Sequence, residues 1–150
     1  MIMTLNEALM KQSFIVKLLL KDGKEELSKA LKVKIMKMRI ALSKFRKQFD
    51  EDAQEAIKGL KPSNFDGLAQ RQDRTPEEEA ELKEMTDKIN EEYNLFLIEK
   101  GKEEVIFDES FTDEEYEQIL EVNSGNDVEI NGNELQAADF LEVIYGLFVE

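Results

Sequence analysis

The residues of this chain that could do chemistry are almost all carboxylates. The most ordered arrangement is residues 127–132, where oxygen-bearing side chains stand at positions 1, 3 and 5 and glycine at position 6, as in a calcium loop. The pattern then fails, because position 12 is Ala138 instead of glutamate and position 8 is Glu134 instead of an apolar residue. We therefore predict a strand, an Asn-Gly turn and a helix cap, with no metal ion and no cofactor.

The other candidates for catalysis lack the partners that they need. General acid–base work requires a carboxyl with a raised pKa in a cleft, and nothing in the spacing of residues 108–109 or 113–115 marks one. The chain has no histidine and no cysteine, which excludes a Ser-His triad and a thiol nucleophile. Neither glycine-rich phosphate fingerprint occurs. We expect a protein that is not an enzyme, and a carboxylate hydrolase using Mg²⁺ is the third alternative.

The composition indicates one acidic helical domain, residues 1–150, of which 41% is hydrophobic. The net charge of −14 is unevenly placed: residues 1–49 hold 12 Lys and Arg against 4 Asp and Glu, whereas residues 103–150 hold 15 Asp and Glu and no basic residue. Most of this surface would repel bare DNA, so no direct DNA binding is expected. No apolar run is long enough to cross a bilayer, and residues 1–4 carry no basic segment of a secretory signal.

The chain is organised around a long helix that covers residues 27–49 and continues to about Gly59. Its apolar residues recur in steps of three and four, at Leu27, Leu31, Ile35, Met38, Leu42, Phe45 and Phe49. A second helix starts at Thr75, which heads a capping box with Pro76 and Glu78, and it ends at Gly101. We expect this second helix to cover the apolar stripe of the first, as an antiparallel helical hairpin joined by a loop at residues 60–75.

Shorter elements complete the predicted fold. Residues 5–20 are predicted to form a first helix after a Thr4 cap, with a buried strand at residues 14–20 as the alternative. Strands are predicted at residues 104–107 and 128–130, paired as a ribbon around a short helix that begins at Thr112. The fold class is therefore mainly α: a long antiparallel helical hairpin packed with N- and C-terminal helices, with a small two-stranded β element near the C-terminus.

Two sets of residues are candidates for an interface with another protein. The last helix, which Asn133 and Gln136 are predicted to cap, is strongly apolar and belongs either to the core or to an interface, through Phe140, Ile144, Tyr145 and Phe148. The second set is acidic, namely Glu114, Glu115 and Glu117.

Amphipathic segments at residues 28–35, 81–84 and 128–135 give most of the chain a resemblance to a family of small, uncharacterised helical proteins of tailed bacteriophages. The resemblance implies a phage setting, in the host cytoplasm or the virion, and carries over no catalytic residue. We expect a non-catalytic protein–protein interaction protein, such as a virion or assembly component, whose partner is another protein or a second copy of this chain. The alternative is an acidic inhibitor that mimics nucleic acid and blocks a host nucleic-acid-binding protein.

Overall fold

Six helices and six short strands make up the computed structural model, which describes residues 1–150. In chain order they are β1 (Ile2–Thr4), α1 (Leu5–Ile15), β2 (Lys21–Asp22), β3 (Glu25–Glu26), α2 (Lys29–Leu60), α3 (Phe65–Gln70), α4 (Pro76–Gly101), β4 (Glu104–Ile106), α5 (Asp113–Asn123), β5 (Val128–Ile130), β6 (Asn133–Leu135) and α6 (Ala137–Phe148). The strands form three separate antiparallel pairs. The protein is therefore mainly helical, with a two-stranded β element near the C-terminus, and the predicted fold class is confirmed.

The contacts within the chain divide it into two units. The first unit consists of Met1–Arg46 together with Glu104–Glu150, and the second consists of Lys47–Glu103. Helix α2 contributes residues to both units because it runs without a break from Lys29 to Leu60. The expectation of one domain for residues 1–150 stays a prediction.

Two strand pairs frame the first unit. Strand β1 pairs with β4, so that Ile2 lies opposite Ile106, while β5 pairs with β6 as a hairpin. The hairpin turns at Asn131 and Gly132, whose φ angles of 53° and 82° are those of a type I′ turn. The predicted ribbon between residues 104–107 and 128–130 is therefore wrong. Strand β4 pairs instead with the distant β1, and β5 pairs with β6, whose first residue, Asn133, was predicted to cap the last helix.

The core of the first unit contains the apolar stripe of α2. Leu31, Ile35, Met38 and Leu42 are all buried there, and the other members of the cluster come from α1, α5, α6 and the segments between them. No residue of α4 belongs to this cluster. The expectation that residues 75–101 cover this part of the stripe is wrong, because helical spacing creates an apolar face without selecting the face that covers it.

The first helix is shorter than its apolar pattern suggests. Helix α1 ends at Ile15, and residues 16–20 are neither helix nor strand. The backbone of Leu19 instead bonds the side chain of Asn123, the one fully buried polar residue of the chain. The predicted end at Leu20 is therefore wrong, since a contact with α5, 104 residues away, satisfies the backbone that a longer helix would have bonded internally.

The second unit is a helical hairpin. Residues 47–60 of α2 and the whole of α4 form its two arms, and the connecting segment contains the short helix α3. Lys100 Nζ lies 2.9 Å from Asp52 Oδ2, which joins the two arms. The hydrogen bond from Lys100 lowers the pKa of Asp52, and the same bond raises the pKa of Lys100. The predicted start of α4 is confirmed in detail, because the Thr75–Glu78 capping box forms with both hydrogen bonds present.

Candidate protein-binding surface

The calcium-like segment is used for local structure. Val128–Ile130 forms β5, and Asp127 Oδ1 accepts a hydrogen bond of 2.8 Å from the backbone N–H of Ala137 at the start of α6. The strand and Asn-Gly turn predicted here are confirmed, but the cap of α6 comes from Asp127, since neither Asn133 nor Gln136 gives a side-chain cap. No three carboxylates in the structure converge closely enough to hold a metal ion.

The acidic interface candidates at the start of α5 differ in whether they already bond other residues of the chain. Glu114 and Glu117 are exposed. Glu115 accepts a hydrogen bond of 2.9 Å from the backbone N–H of Thr112 and another of 2.8 Å from Lys34 Nζ. Burial alone would raise the pKa of Glu115, but the hydrogen bonds from Lys34 and Thr112 together lower it below its ordinary value. Glu115 is thus engaged within its own chain, whereas its two neighbours are free to meet a partner.

The apolar candidates of α6 divide between the core and the surface. Phe140, Ile144 and Phe148 are buried in the core of the first unit, so their side chains are not available to a partner. Tyr145 is different, because 46% of its surface is exposed. The sequence leaves open whether this helix belongs to the core or to an interface. The first three residues belong to the core, and only Tyr145 is left at the surface.

Tyr145 belongs to a shallow groove between α5 and α6, which we call the α5–α6 groove. Its volume is about 600 Å³ and it is lined mainly by apolar side chains. The lining residues are Tyr116, Leu120, Ser124, Ala138, Leu141, Glu142 and Tyr145. Tyr116 and Leu120 of α5 and Ser124, which caps the helix, follow one another at intervals of four residues, so they form one continuous edge of the groove.

Two tyrosines fix the floor of the groove. The rings of Tyr116 and Tyr145 meet edge to face, with centroids 5.1 Å apart and an angle of 70° between their planes. The Tyr116 hydroxyl donates a hydrogen bond of 2.6 Å to the carbonyl oxygen of Leu141. Burial raises the pKa of Tyr116, and the nearby Tyr145 and Glu142 raise it further. The hydroxyl is therefore a stable hydrogen-bond donor, and the rings offer a rigid aromatic surface.

The rim of the groove is acidic. Glu117 and Glu121 on α5 and Glu142 on α6 are exposed, and none of them forms an ion pair within the chain. The sequence contains no Lys or Arg after Lys102, so neither α5 nor α6 supplies a compensating charge. Glu142 lines the groove, and Glu117 and Glu121 each follow a lining residue of α5 by one position. An apolar floor with uncompensated carboxylates at its border suits a ligand that is apolar at its centre and basic at its edges.

Tyr116 and Leu120 line the groove, although the sequence patterns did not mark them as candidates. Tyr116, Ile119 and Leu120 are apolar residues of the short helix predicted from Thr112. In a helix of 3.6 residues per turn, however, Tyr116 and Leu120 share one edge, while Ile119 lies closer to Val122 and Asn123. The structure buries these last three and leaves Leu120 37% exposed, so helical spacing alone could have separated the two sets.

Comparison with protein-family models, with curated proteins and with solved structures finds no match to this chain. None of the six helices combines the length and the apolar character that a crossing of the membrane requires.

Proposed function

We propose that this chain is a non-catalytic protein that binds another protein through the α5–α6 groove. The observation that carries the proposal is the groove itself. Leu120 on α5 and Tyr145 on α6 both line it and remain exposed, with unpaired carboxylates at its border. The occupant that fits is an amphipathic helical segment with apolar residues along one face and Lys or Arg at its borders. Its apolar face would cover the groove while its basic residues meet Glu117, Glu121 and Glu142.

The setting of this activity is the virion or its assembly in a bacteriophage-infected cell. The support for this part of the proposal is the resemblance to small helical proteins of tailed bacteriophages. Structural components of a virion act by binding other proteins, and an exposed apolar groove suits that task. The protein would accordingly act in the host cytoplasm or in the virion.

A peptide titration tests the proposed groove. The probe is a fluorescein-labelled peptide of about 18 Leu and Lys residues with the leucines at helical spacing, and its binding is followed by fluorescence anisotropy. A peptide of the same composition in scrambled order is the control ligand. We expect Leu120→Lys to weaken binding of the probe by at least about tenfold, which corresponds to about 1.4 kcal/mol.

The matched control for that variant is Leu95→Lys, which places the same change on a leucine of α4 that is 57% exposed. Leu95→Lys should leave the affinity within about twofold of wild type, a difference that is small on the scale of 1.4 kcal/mol per tenfold. Equal weakening by the two substitutions would mean that the probe responds only to net charge, and the groove would then not be its site.

The acidic row on α5 favours a second candidate function, an inhibitor that occupies the nucleic-acid site of a host protein. Exposed carboxylates of Asp113, Glu114, Glu117 and Glu121 follow one another along this helix of 11 residues. Binding through such a row would weaken steeply with salt, as phosphate contacts do. A target that is captured at low salt, released at high salt and lost in the Asp113→Asn/Glu114→Gln variant, which leaves the rim of the groove intact, would favour this candidate over the groove.

A further inference from the structure

A second exposed apolar surface lies on α2, on the side that faces away from the core. Val33, Met36 and Ile40 are spaced by three and four residues, so they form one line along the helix. They are 41%, 52% and 60% exposed. The residues between them on the opposite side, such as Ile35 and Met38, are buried in the core. We call Val33, Met36 and Ile40 the outer stripe of α2.

Lysines surround the outer stripe and carry no compensating charge. Lys29, Lys37 and Lys44 are exposed, and none of them forms an ion pair within the chain. No Asp or Glu occurs between residues 29 and 49. The lysines on the flanks of α2 behave differently, since Lys32 pairs with Glu26 and Lys34 pairs with Glu115. The unpaired basic charge of α2 is thus concentrated around its exposed apolar residues.

The outer stripe has the chemistry that the α5–α6 groove requires of a ligand. It is helical, apolar at its centre and basic at its border, whereas the groove is apolar at its centre and acidic at its rim. The lengths also agree: seven residues separate Val33 from Ile40, about 10 Å along a helix, and eight separate Tyr116 from Ser124, about 12 Å. Within one chain no hydrogen bond or ion pair joins the side chains of the two surfaces.

We propose that the occupant of the α5–α6 groove is the outer stripe of α2 from a second copy of this chain. The proposal rests on the proposed function of the groove and names its partner. Since the two surfaces differ, the contact is heterologous: each copy that docks its stripe still presents a free groove. Such contacts extend head to tail into a filament, or close into a ring when the rotation between neighbours permits.

The test uses two full-length variants that each block one surface. Ile40→Glu places an acid in the outer stripe, between Lys37 and Lys44 at helical spacing, so the helix itself gains favourable neighbours. Leu120→Lys places a base in the groove, three residues after Glu117, with the same benefit. Neither substitution touches the core, and circular dichroism and thermal melting of each variant establish that it folds as the wild type does.

The readout is molar mass from size-exclusion chromatography with light scattering, at about 0.15 M salt, where charges more than about 8 Å apart are largely screened. We expect wild-type mass to rise with protein concentration. Each variant alone should be a monomer, because one of its two surfaces is blocked. An equimolar mixture should form a 1:1 dimer that does not grow, since the one intact stripe and the one intact groove are then both occupied.

Three results would overturn the proposal: a wild type that stays monomeric at all concentrations, a variant that associates by itself as the wild type does, or two monomeric variants that do not combine. A monomeric wild type whose outer stripe binds vesicles of phosphatidylglycerol would assign the stripe to an anionic lipid surface instead. The Leu and Lys probe shows separately whether the groove binds a helix and whether that helix belongs to a second copy. If the Ile40→Glu protein binds the probe but does not combine with the Leu120→Lys protein, the groove stands as a binding site and the second copy is wrong as its partner. If the Ile40→Glu protein binds neither the probe nor the Leu120→Lys protein, both proposals fail.

Discussion

Asn123 should be the polar residue on which the stability of the first unit depends most. It is fully buried at the end of α5. Its Oδ1 accepts a hydrogen bond of 2.8 Å from the backbone N–H of Leu19, and its Nδ2 donates to the carbonyl oxygen of the same residue at 3.1 Å. It donates also to the carbonyl oxygen of Ile119 and accepts from Asn126. One side chain thus holds the irregular segment after α1 against α5.

The magnitude for Asn123→Ala follows from those bonds. Both backbone groups of Leu19 lose their side-chain partner, and because Leu19 itself is 36% exposed, each lost hydrogen bond is worth about 0.5–1.5 kcal/mol. The carbonyl of Ile119 costs less, because it also belongs to the helix. We therefore expect the free energy of unfolding to fall by about 2 kcal/mol. In contrast, Asn94→Ala on exposed α4 should change it by less than about 1 kcal/mol, through helix propensity alone.

The assay is urea unfolding followed by the near-ultraviolet circular dichroism of tyrosine, since Tyr116 and Tyr145 both report on the first unit. A loss for Asn123→Ala that is below about 1 kcal/mol, no larger in size than the change in the Asn94 control, would mean that water satisfies the Leu19 backbone equally well and would refute this role of Asn123.

The variant Asn123→Asp tests the direction in which stability changes with pH. Its carboxylate would face the carbonyl oxygens of Leu19 and Ile119 in a buried site, so its pKa should be higher in the folded than in the unfolded state. A raised folded pKa means that the charged form opposes folding. The variant should therefore lie closer to wild type at about pH 4, where the Asp of the folded state is largely protonated, than at about pH 7. A gap in stability that is independent of pH would contradict this account.

Three further substitutions test other parts of the fold by the same unfolding assay. Glu115→Gln should cost about 1 kcal/mol at neutral pH by removing the charge opposite Lys34. Because the folded pKa of Glu115 is lowered, the cost should begin to fall near the ordinary Glu pKa of about 4.3 and vanish once the pH lies below the folded pKa, and a cost that persists in acid would contradict the assignment. Phe140→Ala should cost about 3–5 kcal/mol, since the ring is fully buried and stacks on Phe14 at 6.0 Å, and a loss under about 1 kcal/mol would place the ring outside the core. Gly132→Ala should cost about 1–2 kcal/mol from its positive φ alone, because nothing lies within 4 Å of the added methyl group; an unchanged stability would mean that the turn relaxes to another type.

Local patterns predicted the parts of the fold that depend on neighbouring residues. The capping boxes at Thr75 and Thr112 start α4 and α5 where the sequence places them, because both partners of each hydrogen bond lie within one helical turn. The Asn131-Gly132 turn is of the same kind, since its positive φ angles suit those two residue types.

Pairings between distant segments could not be predicted in this way. The apolar stripe of α2 can pack against any apolar surface. Its spacing therefore could not distinguish α4 from the residues of α1, α5 and α6 that share its core. The pairing of β1 with β4 and the bond between Leu19 and Asn123 each join residues about a hundred positions apart. Such contacts depend on the tertiary fold, and no local pattern encodes them.

The candidate site followed the same division. The acidity of residues 103–150 was evident from composition, and Tyr145 was named as an interface candidate, but the groove needs α5 and α6 side by side. The outer stripe of α2 is hard to recognise from the sequence, because the more regular buried stripe on the same helix accounts for its amphipathic pattern. An independent reading of the i, i+3, i+7 spacing at Val33, Met36 and Ile40 would have found it.

The most direct test of the groove as a binding site is a nuclear magnetic resonance titration, which a protein of 17.4 kDa permits. Isotope-labelled Ile40→Glu protein, with its outer stripe blocked, is titrated with the unlabelled Leu and Lys probe. The account predicts that the backbone amide shifts change along one edge of α5 and along α6 around Tyr145, and that α4 is unaffected. Shift changes confined to α4, or spread evenly over every acidic residue of the chain, would contradict it.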